Sequence, residues 1–184
     1  MSCETADCDR SLPTVTRRAI LTATTGGLVA TTLSTRTATA QQAGTGQWAF
    51  ETGDSILSSP TVVNGTVFIG SNDENLYAVD AETGEQQWVF ETAGNVRSSP
   101  TVVDEIVFVG SYDGNLYAVD VTAGDEEWAF ETGNRVISSP TVVNGTVFVG
   151  SDDGTLYAVD AATGDDQWTF ETGDRVTACL FCTS

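Results

Sequence analysis

The strongest constraint on the fold of this 184-residue chain is an internal repeat of 40 residues. Aligned without gaps, three consecutive segments share the same residue at 21 of 40 positions, and four tryptophans follow the same period. A period of about 20 to 50 residues is typical of proteins that stack copies of one small structural unit. The three complete copies are residues 56–95, 96–135 and 136–175.

Each copy has the pattern of four short β-strands joined by tight turns. In the first copy, Asn64-Gly65 separates two apolar runs, and this pair favours a two-residue hairpin because both residues tolerate positive φ. No segment shows the periodicity of a helix. The predicted strands of this copy are residues 58–63, 66–71, 75–81 and 87–92.

The residue types also predict the order of the strands within each sheet. Pro60 lies in the first strand and has no N–H to donate, so this strand belongs at a sheet edge. The fourth strand alternates, with Phe90 on one face and Glu91 on the other, which indicates the solvent-facing edge. The two middle strands are apolar on both faces, and therefore need cover on both sides.

Stacking four-stranded meanders on copies of themselves supplies that cover, and such a meander is the blade of a β-propeller. The sequence thus predicts an all-β fold, an incomplete β-propeller of four-stranded antiparallel blades, with three full blades and partial blades at its ends. A β-solenoid is the alternative, but its repeats are usually shorter per turn, and the tight hairpins favour up-and-down strands.

A motif near the end of each copy carries a family resemblance. The segment A-V-D-A-E-T-G-E-Q-Q-W, residues 78–88, resembles the tryptophan-docking motif of quinoprotein propellers, the pyrroloquinoline-quinone-like repeat family. Residues 158–168 match equally well, whereas residues 118–128 carry Ala123 where the other copies have threonine. The resemblance covers residues 47 to about 176 and implies docking between blades.

Elementary chemistry assigns the motif a structural role as well. The carboxylate of Asp80 can accept backbone N–H bonds in the turn that follows, Gly84 supplies positive φ, and Trp88 offers a flat apolar face to the next blade. The predicted blade-docking residues are Trp48, Ala78, Asp80, Thr83, Gly84, Trp88, Ala118, Asp120, Gly124, Trp128, Ala158, Asp160, Thr163, Gly164 and Trp168.

The first 40 residues have the features of an export signal. Arg17-Arg18 precedes a weakly apolar stretch over residues 19–33, and a small-residue A-T-A run ends at Ala40. This order is typical of a signal peptide, and the paired arginines resemble the twin-arginine type. A disordered tail is the alternative. We expect an exported protein, extracellular or at the cell surface, with no stable membrane span after signal cleavage.

The charge restricts the partners of the chain. From residue 41 onward, 23 acidic residues face only 3 arginines, and the chain has no lysine and a net charge of -19. Such a surface repels nucleic acids and anionic lipids, so we expect neither as a partner. An acid-rich, lysine-free composition resembles proteins of extreme halophiles, because strong salt screens the repulsion between carboxylates. An ordinary acidic protein is the alternative.

Candidate catalytic chemistry is sparse. The chain has no histidine, so the common general base and metal ligand are missing, and we predict that it is not an enzyme and binds no cofactor. Pyrroloquinoline quinone and calcium are the alternatives. Residues 151–154, S-D-D-G, resemble part of a calcium loop but fit a hairpin turn better. Quinone-dependent dehydrogenases carry adjacent cysteines, whereas Cys179 and Cys182 are separated.

Partial blades flank the three copies. Residues 41–55 comprise an orphan outer strand, 47–52, and a linker, and residues 176–184 form the stub of a further blade whose sequence departs from the repeat. Either a longer propeller has been truncated, or copies assemble through exposed blade faces. We expect an exported binding or scaffold propeller with a protein partner or self-association. A fragment of a quinone-dependent dehydrogenase and a non-functional gene remnant are the alternatives.

Overall fold

A computed structural model of the protein describes residues 47–176, and the predicted export signal and all four cysteines lie outside this range. The described residues form three four-stranded sheets, which we call blades 1, 2 and 3 in chain order. No helix in this range has the length and apolar character that a bilayer crossing needs. The strands are β1 (Thr61–Val63), β2 (Thr66–Gly70), β3 (Asn75–Asp80), β4 (Gln86–Glu91), β5 (Thr101–Val103), β6 (Ile106–Gly110), β7 (Asn115–Asp120), β8 (Glu126–Glu131), β9 (Thr141–Val143), β10 (Thr146–Gly150), β11 (Thr155–Asp160) and β12 (Asp166–Glu171).

Within each blade the strands pair antiparallel in chain order, which confirms the predicted fold class. The first strand is shorter than predicted: β1 begins at Thr61 and not at residue 58, and Pro60 lies just before it. A proline there removes no hydrogen bond from the ladder. The register between β3 and β4 shifts after the pair formed by Ala78 and Trp88, as it does in the other two blades.

The predicted hairpin turns join the first two strands of each blade. Asn64 and Gly65 have φ values of 50° and 81°, the mirror-image turn that suits the twist of a hairpin. The second copy forms the same turn with Asp104 and Glu105, whose φ values are 49° and 66°. Positive φ is unfavourable for a glutamate, which has a Cβ. Tertiary context therefore imposes this turn even where the sequence signal is missing.

The hydrophobic core lies between the blades. One face of blade 1 presents Phe68 and Leu76, both fully buried, to blade 2, whose opposing face presents Val107 and Val109. The same pairing recurs between blades 2 and 3. The middle strands are thus covered on both faces where a neighbour is present, as their sequence predicted. The three sheets do not close into a ring.

The segment predicted as an orphan outer strand, residues 47–52, is not a β-strand here. A fourth strand requires the third strand of its own blade for its hydrogen bonds, and no such strand lies beside this segment among the described residues. The segment instead lies on blade 1 and makes the contacts that an outer strand makes with the next blade.

Candidate functional site

The tryptophans connect successive blades through a repeated hydrogen bond. In the first three tryptophans, the indole N–H reaches a backbone carbonyl 33 residues further along the chain, in the turn that precedes the fourth strand of the next blade. A half-buried indole thus satisfies its one donor while its ring remains in apolar contact. The bonds are Trp48 to Ala81 (3.0 Å), Trp88 to Val121 (2.8 Å) and Trp128 to Ala161 (3.2 Å).

The motif glycine lies directly under the tryptophan ring of the preceding blade. Gly124 has a φ of +73°, and a Cβ at this position would come within 2.7 Å of the Trp88 ring. Sequence reasoning identified the need for positive φ but missed this close approach, which excludes any side chain. Gly84 and Gly164 lie in the same way under Trp48 and Trp128.

The motif aspartate organises the turn that holds this glycine. The Oδ1 atom of Asp80 accepts the N–H groups of Glu82 (2.9 Å) and Thr83 (2.8 Å) and the Thr83 hydroxyl (3.0 Å). Hydrogen bonds from the amide and the hydroxyl of Thr83, and from the Glu82 amide, hold the pKa of Asp80 below its ordinary value. Asp160 makes the corresponding amide bonds in blade 3, where its pKa is lowered in the same way.

Blade 2 makes this turn without the threonine hydroxyl. Asp120 accepts the amides of Thr122 (2.8 Å) and Ala123 (2.6 Å), so the backbone contacts survive the replacement. Three further predicted docking residues, the alanines of the third strands, are fully buried beneath the tryptophan of the neighbouring fourth strand. They are Ala78, Ala118 and Ala158.

A second link between blades was missed from the sequence. The Asp73 Oδ2 atom accepts the Tyr77 hydroxyl (2.8 Å) and the amide of Gly53 (2.6 Å), which belongs to the segment before blade 1. Burial alone would raise the pKa of Asp73, but hydrogen bonds, led by that of Tyr77, bring it below its ordinary value. Burial, followed by the bond to Asp73, raises the pKa of Tyr77 to about 12.

The same link repeats in every blade and explains the acidic loop that resembles part of a calcium site. Asp153 accepts the Tyr157 hydroxyl and the Gly133 amide, both at 2.7 Å, so its carboxylate already joins blades 2 and 3. Among residues 47–176 no three His, Cys, Asp or Glu side chains are placed to hold a metal ion. An aspartate followed four residues later by tyrosine, present in all three copies, was the available signal.

The S-S-P-T segment connects the blades at their inner edges. The amide of Ser59 donates to the Ser99 hydroxyl (2.9 Å), and the Ser99 amide donates to the Ser139 hydroxyl (3.1 Å). The Thr61 hydroxyl donates to the Pro100 carbonyl at 2.5 Å. The hydroxyls of Thr61, Ser99 and Ser139 are therefore used in hydrogen bonds between neighbouring blades. The Ser58 hydroxyl instead donates to Gly70 within its own blade.

Within residues 47–176, two surfaces have the composition of a blade interface but face no neighbouring blade. The C-terminal face belongs to blade 3, where Trp168 and Phe170 are 46% and 61% exposed. The N-terminal face belongs to blade 1, where Ile56 is 42% exposed. Its members are Ile56, Val67, Ile69, Tyr77 and Val79, and those of the C-terminal face are Phe148, Leu156, Ala158, Trp168 and Phe170.

A strap, residues 47–53, covers the outer part of the N-terminal face. Trp48 and Phe50 make its apolar contacts, and the Phe50 ring meets the Tyr77 ring edge to face at 5.2 Å. The strap leaves a groove of about 220 Å³ whose walls include Ile56 and Val67. In the internal interfaces, this space holds the second and third strands of the preceding blade.

Comparisons with known proteins agree with this architecture. The family model described as outer membrane protein assembly factor BamB matches residues 9–103 and 92–183. No curated protein matches the chain. The crystal structure of BamB from Moraxella catarrhalis is similar over 68% of this chain, with 27% identity and a TM-score of 0.61. This chain spans 39% of the length of that structure.

Two further solved structures represent other kinds of protein. The computationally designed Ika4 protein is 21% identical over 75% of this chain and 87% of its own, with a TM-score of 0.67, and it shows the fold alone. A quinohemoprotein alcohol dehydrogenase, ADHIIG from Pseudomonas putida HK5, is 26% identical over 66% of this chain, with a TM-score of 0.59. Only 21% of the dehydrogenase is covered.

Proposed function

Because the chain belongs to the family described by the outer membrane protein assembly factor BamB model, we propose that it is an exported, non-enzymatic module that binds protein partners. The chain spans less than half of the solved BamB structure, so the proposal is limited to a binding role. The proposed role is that of a scaffold whose exposed surfaces, and not a catalytic pocket, provide its activity.

One observation carries this proposal: the polar groups that the repeat conserves among its copies are used in holding the blades together. Asp113 and Asp153 link adjacent blades, and Asp80 and Asp160 close turns. The hydroxyls of Thr61 and Ser99 bond across the inner edge. Groups committed in this way are not free to act on a substrate. Two exposed aromatic side chains, Trp168 and Phe170, lie instead on the C-terminal face.

The distribution of charge supports a protein partner over a nucleic acid or an anionic membrane. Acidic residues outnumber basic ones by 26 to 7 in the chain. Two of the arginines, Arg97 and Arg135, lie over the ring of Tyr112, with guanidinium carbons 4.7 and 5.1 Å from its centroid. They form a small local contact and no basic stripe of the kind that nucleic acid binding requires.

Export is proposed on the order of segments in the first 40 residues, Arg17-Arg18 before an apolar stretch and a small-residue run. Cell fractionation tests it: the protein should be found outside the cytoplasm, and replacing both arginines with lysine should retain it inside. Cytoplasmic protein in both strains would contradict the proposed location. Lysine keeps the charge, so the exchange tests recognition of the arginine pair and not net charge.

The non-enzymatic role is tested by titrating the purified chain with pyrroloquinoline quinone and calcium in strong salt. We expect no change in tryptophan fluorescence or in the quinone absorbance. Saturable uptake would overturn the proposal and favour the alternative, a fragment of a dehydrogenase-type propeller, which the similarity to a quinohemoprotein alcohol dehydrogenase motivates. A quinoprotein dehydrogenase titrated in parallel serves as the positive control.

A further inference from the structure

The C-terminal and N-terminal faces are the two halves of an interface that this molecule already makes twice. We propose that the C-terminal face of one copy docks on the N-terminal face of a second copy, and that the strap leaves its place when this happens. The inference rests on the proposed binding role and names the partner as a second copy of the chain.

The C-terminal face already has the side-chain arrangement of a formed interface. Its tryptophan and phenylalanine pack on each other as their equivalents do in blades 1 and 2, although none of the three described blades covers them. Such preorganisation lowers the entropy lost on binding. The ring centroids are 5.7 Å apart for Phe68 and Trp88, 5.8 Å for Phe108 and Trp128, and 5.8 Å for Phe148 and Trp168.

The N-terminal face offers the complementary acceptor groups. The strap demonstrates this, because Trp48 donates to the Ala81 carbonyl and lies on Gly84 just as internal tryptophans bind the next blade. The edge-to-face contact of Phe50 with Tyr77, at 5.2 Å, matches the internal contacts at 5.3 and 5.4 Å. The outer part of a docking blade would therefore find its partners in place.

The strap occupies this site but fills only part of it. Docking would replace Trp48 with Trp168, so the indole contacts are exchanged one for one. Phe148 and Leu156 would then enter the groove of about 220 Å³ that the strap leaves open against Ile56. Ile56 would take the place on Gly150 that Val176 holds in the single copy. Their internal equivalents are fully buried, so a second copy covers more apolar surface than the strap does.

The geometry of the contact is head to tail. Such a heterologous interface produces a ring if its rotation closes and an open array if it does not. Propellers usually close with about four to eight blades, and the described blades of two copies together fall inside this range. Either product places the same two faces in contact.

Sedimentation velocity in multimolar salt, over a series of protein concentrations, tests the proposal with the full chain. We expect the wild type to self-associate and Trp168→Ala to weaken association about thirtyfold, as for an aromatic hot spot. Trp48→Ala should have the opposite effect and strengthen association, since it loosens the strap. Thr122→Ala, which changes an exposed side chain in a turn of blade 2 and so outside both faces, is the control and should leave association unchanged.

Far-UV circular dichroism of each variant confirms that it is folded, and Phe170→Ser on the same face replaces Trp168→Ala if that variant is not. A monomeric wild type together with a monomeric Trp48→Ala variant overturns the inference. Weaker association of the Trp48→Ala variant overturns the displacement of the strap. Neither outcome affects the binding role itself, which uptake of the quinone would overturn separately.

Discussion

The internal interfaces and the two end faces contain nearly the same residues in different surroundings. Val96 and Val136, inside the interfaces, are fully buried, whereas their equivalent Ile56 is 42% exposed. Phe90 and Phe130 are half-buried, whereas Phe170 is 61% exposed. Because the repeat keeps sequence almost constant, the difference isolates what a neighbouring blade contributes.

This comparison shows that local structure does not depend on the neighbour. Blade 3 keeps the same strand pairing, the same register shift and the same phenylalanine–tryptophan packing as blade 1. What the neighbour supplies is burial, and with it most of the free energy of unfolding that apolar contacts provide. Four experiments follow, from the largest expected effect to the smallest.

Removal of salt should unfold every blade, and the difference in burial between the internal interfaces and the end faces should then disappear. With 26 acidic and 7 basic residues in the chain, carboxylate repulsion is screened only when the Debye length is short, about 3 Å at 1 M salt. We expect the β-sheet signal in circular dichroism to disappear between molar and millimolar salt. At intermediate salt, hydrogen exchange should show blade 2 protected longest. An unchanged spectrum throughout would rule out the halophilic interpretation.

Truncation of a core phenylalanine should cost far more inside an interface than at an end. Phe108 is 1% exposed and packs between blades 2 and 3, so Phe108→Ala should lower the free energy of unfolding by about 3–5 kcal/mol. Phe148→Ala should cost roughly half as much, because no blade among the described residues covers the open side of Phe148. Denaturant titration at dilute, monomeric protein measures both. Equal losses would indicate that the C-terminal face is covered.

Replacement of the motif glycine by alanine should cost stability in two ways, through the strain of positive φ and through contact with the tryptophan ring. Gly124 (φ +73°) lies under the Trp88 ring, whereas Gly145 (φ +77°) has nothing within 4 Å of a Cβ. Both substitutions strain the backbone equally, so Gly145→Ala is the matched control. We expect Gly124→Ala to destabilise by about 1–3 kcal/mol more in denaturant titrations. Equal effects would indicate that the indole moves aside freely.

The tyrosines of two tyrosine–aspartate pairs should titrate alike, although Tyr77 lies against the strap and Tyr117 lies against a neighbouring blade. Burial, and then the bonds to Asp73 and Asp113, raise the pKa of Tyr77 and Tyr117 to about 12. A raised pKa stabilises the fold below pH 10, and this contribution is lost as pH rises from 10 to 12. Tyr77→Phe and Tyr117→Phe should each make the fall in denaturation midpoint over this range shallower. A difference between them would show that the neighbouring blade controls the ionisation.

Much of the fold could be predicted because the same pattern of strands and turns occurs in all three copies of the repeat. The strand order, the hairpin at Asn64 and the apolar faces of the middle strands all follow from residue types within one copy. The strap could not be predicted as it lies, because a segment with the sequence of a fourth strand has no third strand beside it among the described residues. The start of β1 also lies later than predicted, at Thr61, because Pro60 has no N–H to donate to the ladder.

The docking contacts were only partly visible in the sequence. The aspartate turn and the positive φ of Gly84 are local, so residue type alone predicts them. The bond from the Gly53 amide to Asp73 joins residues 20 positions apart, and no local rule connects an aspartate to an amide so far away in the chain. The approach of the Trp48 ring to Gly84, 36 positions away, was invisible for the same reason.

The sequence by itself determined the blade: its four strands, its turns and the two apolar faces that demand neighbours. Only the tertiary structure decided which of those faces are covered, what the strap occupies and which carboxylates join blades. The physical reason is the separation along the chain over which each kind of interaction acts. Strand propensity and turn chemistry act over a few residues, whereas burial and hydrogen bonding between blades depend on groups 20 to 40 positions apart that the fold alone brings together.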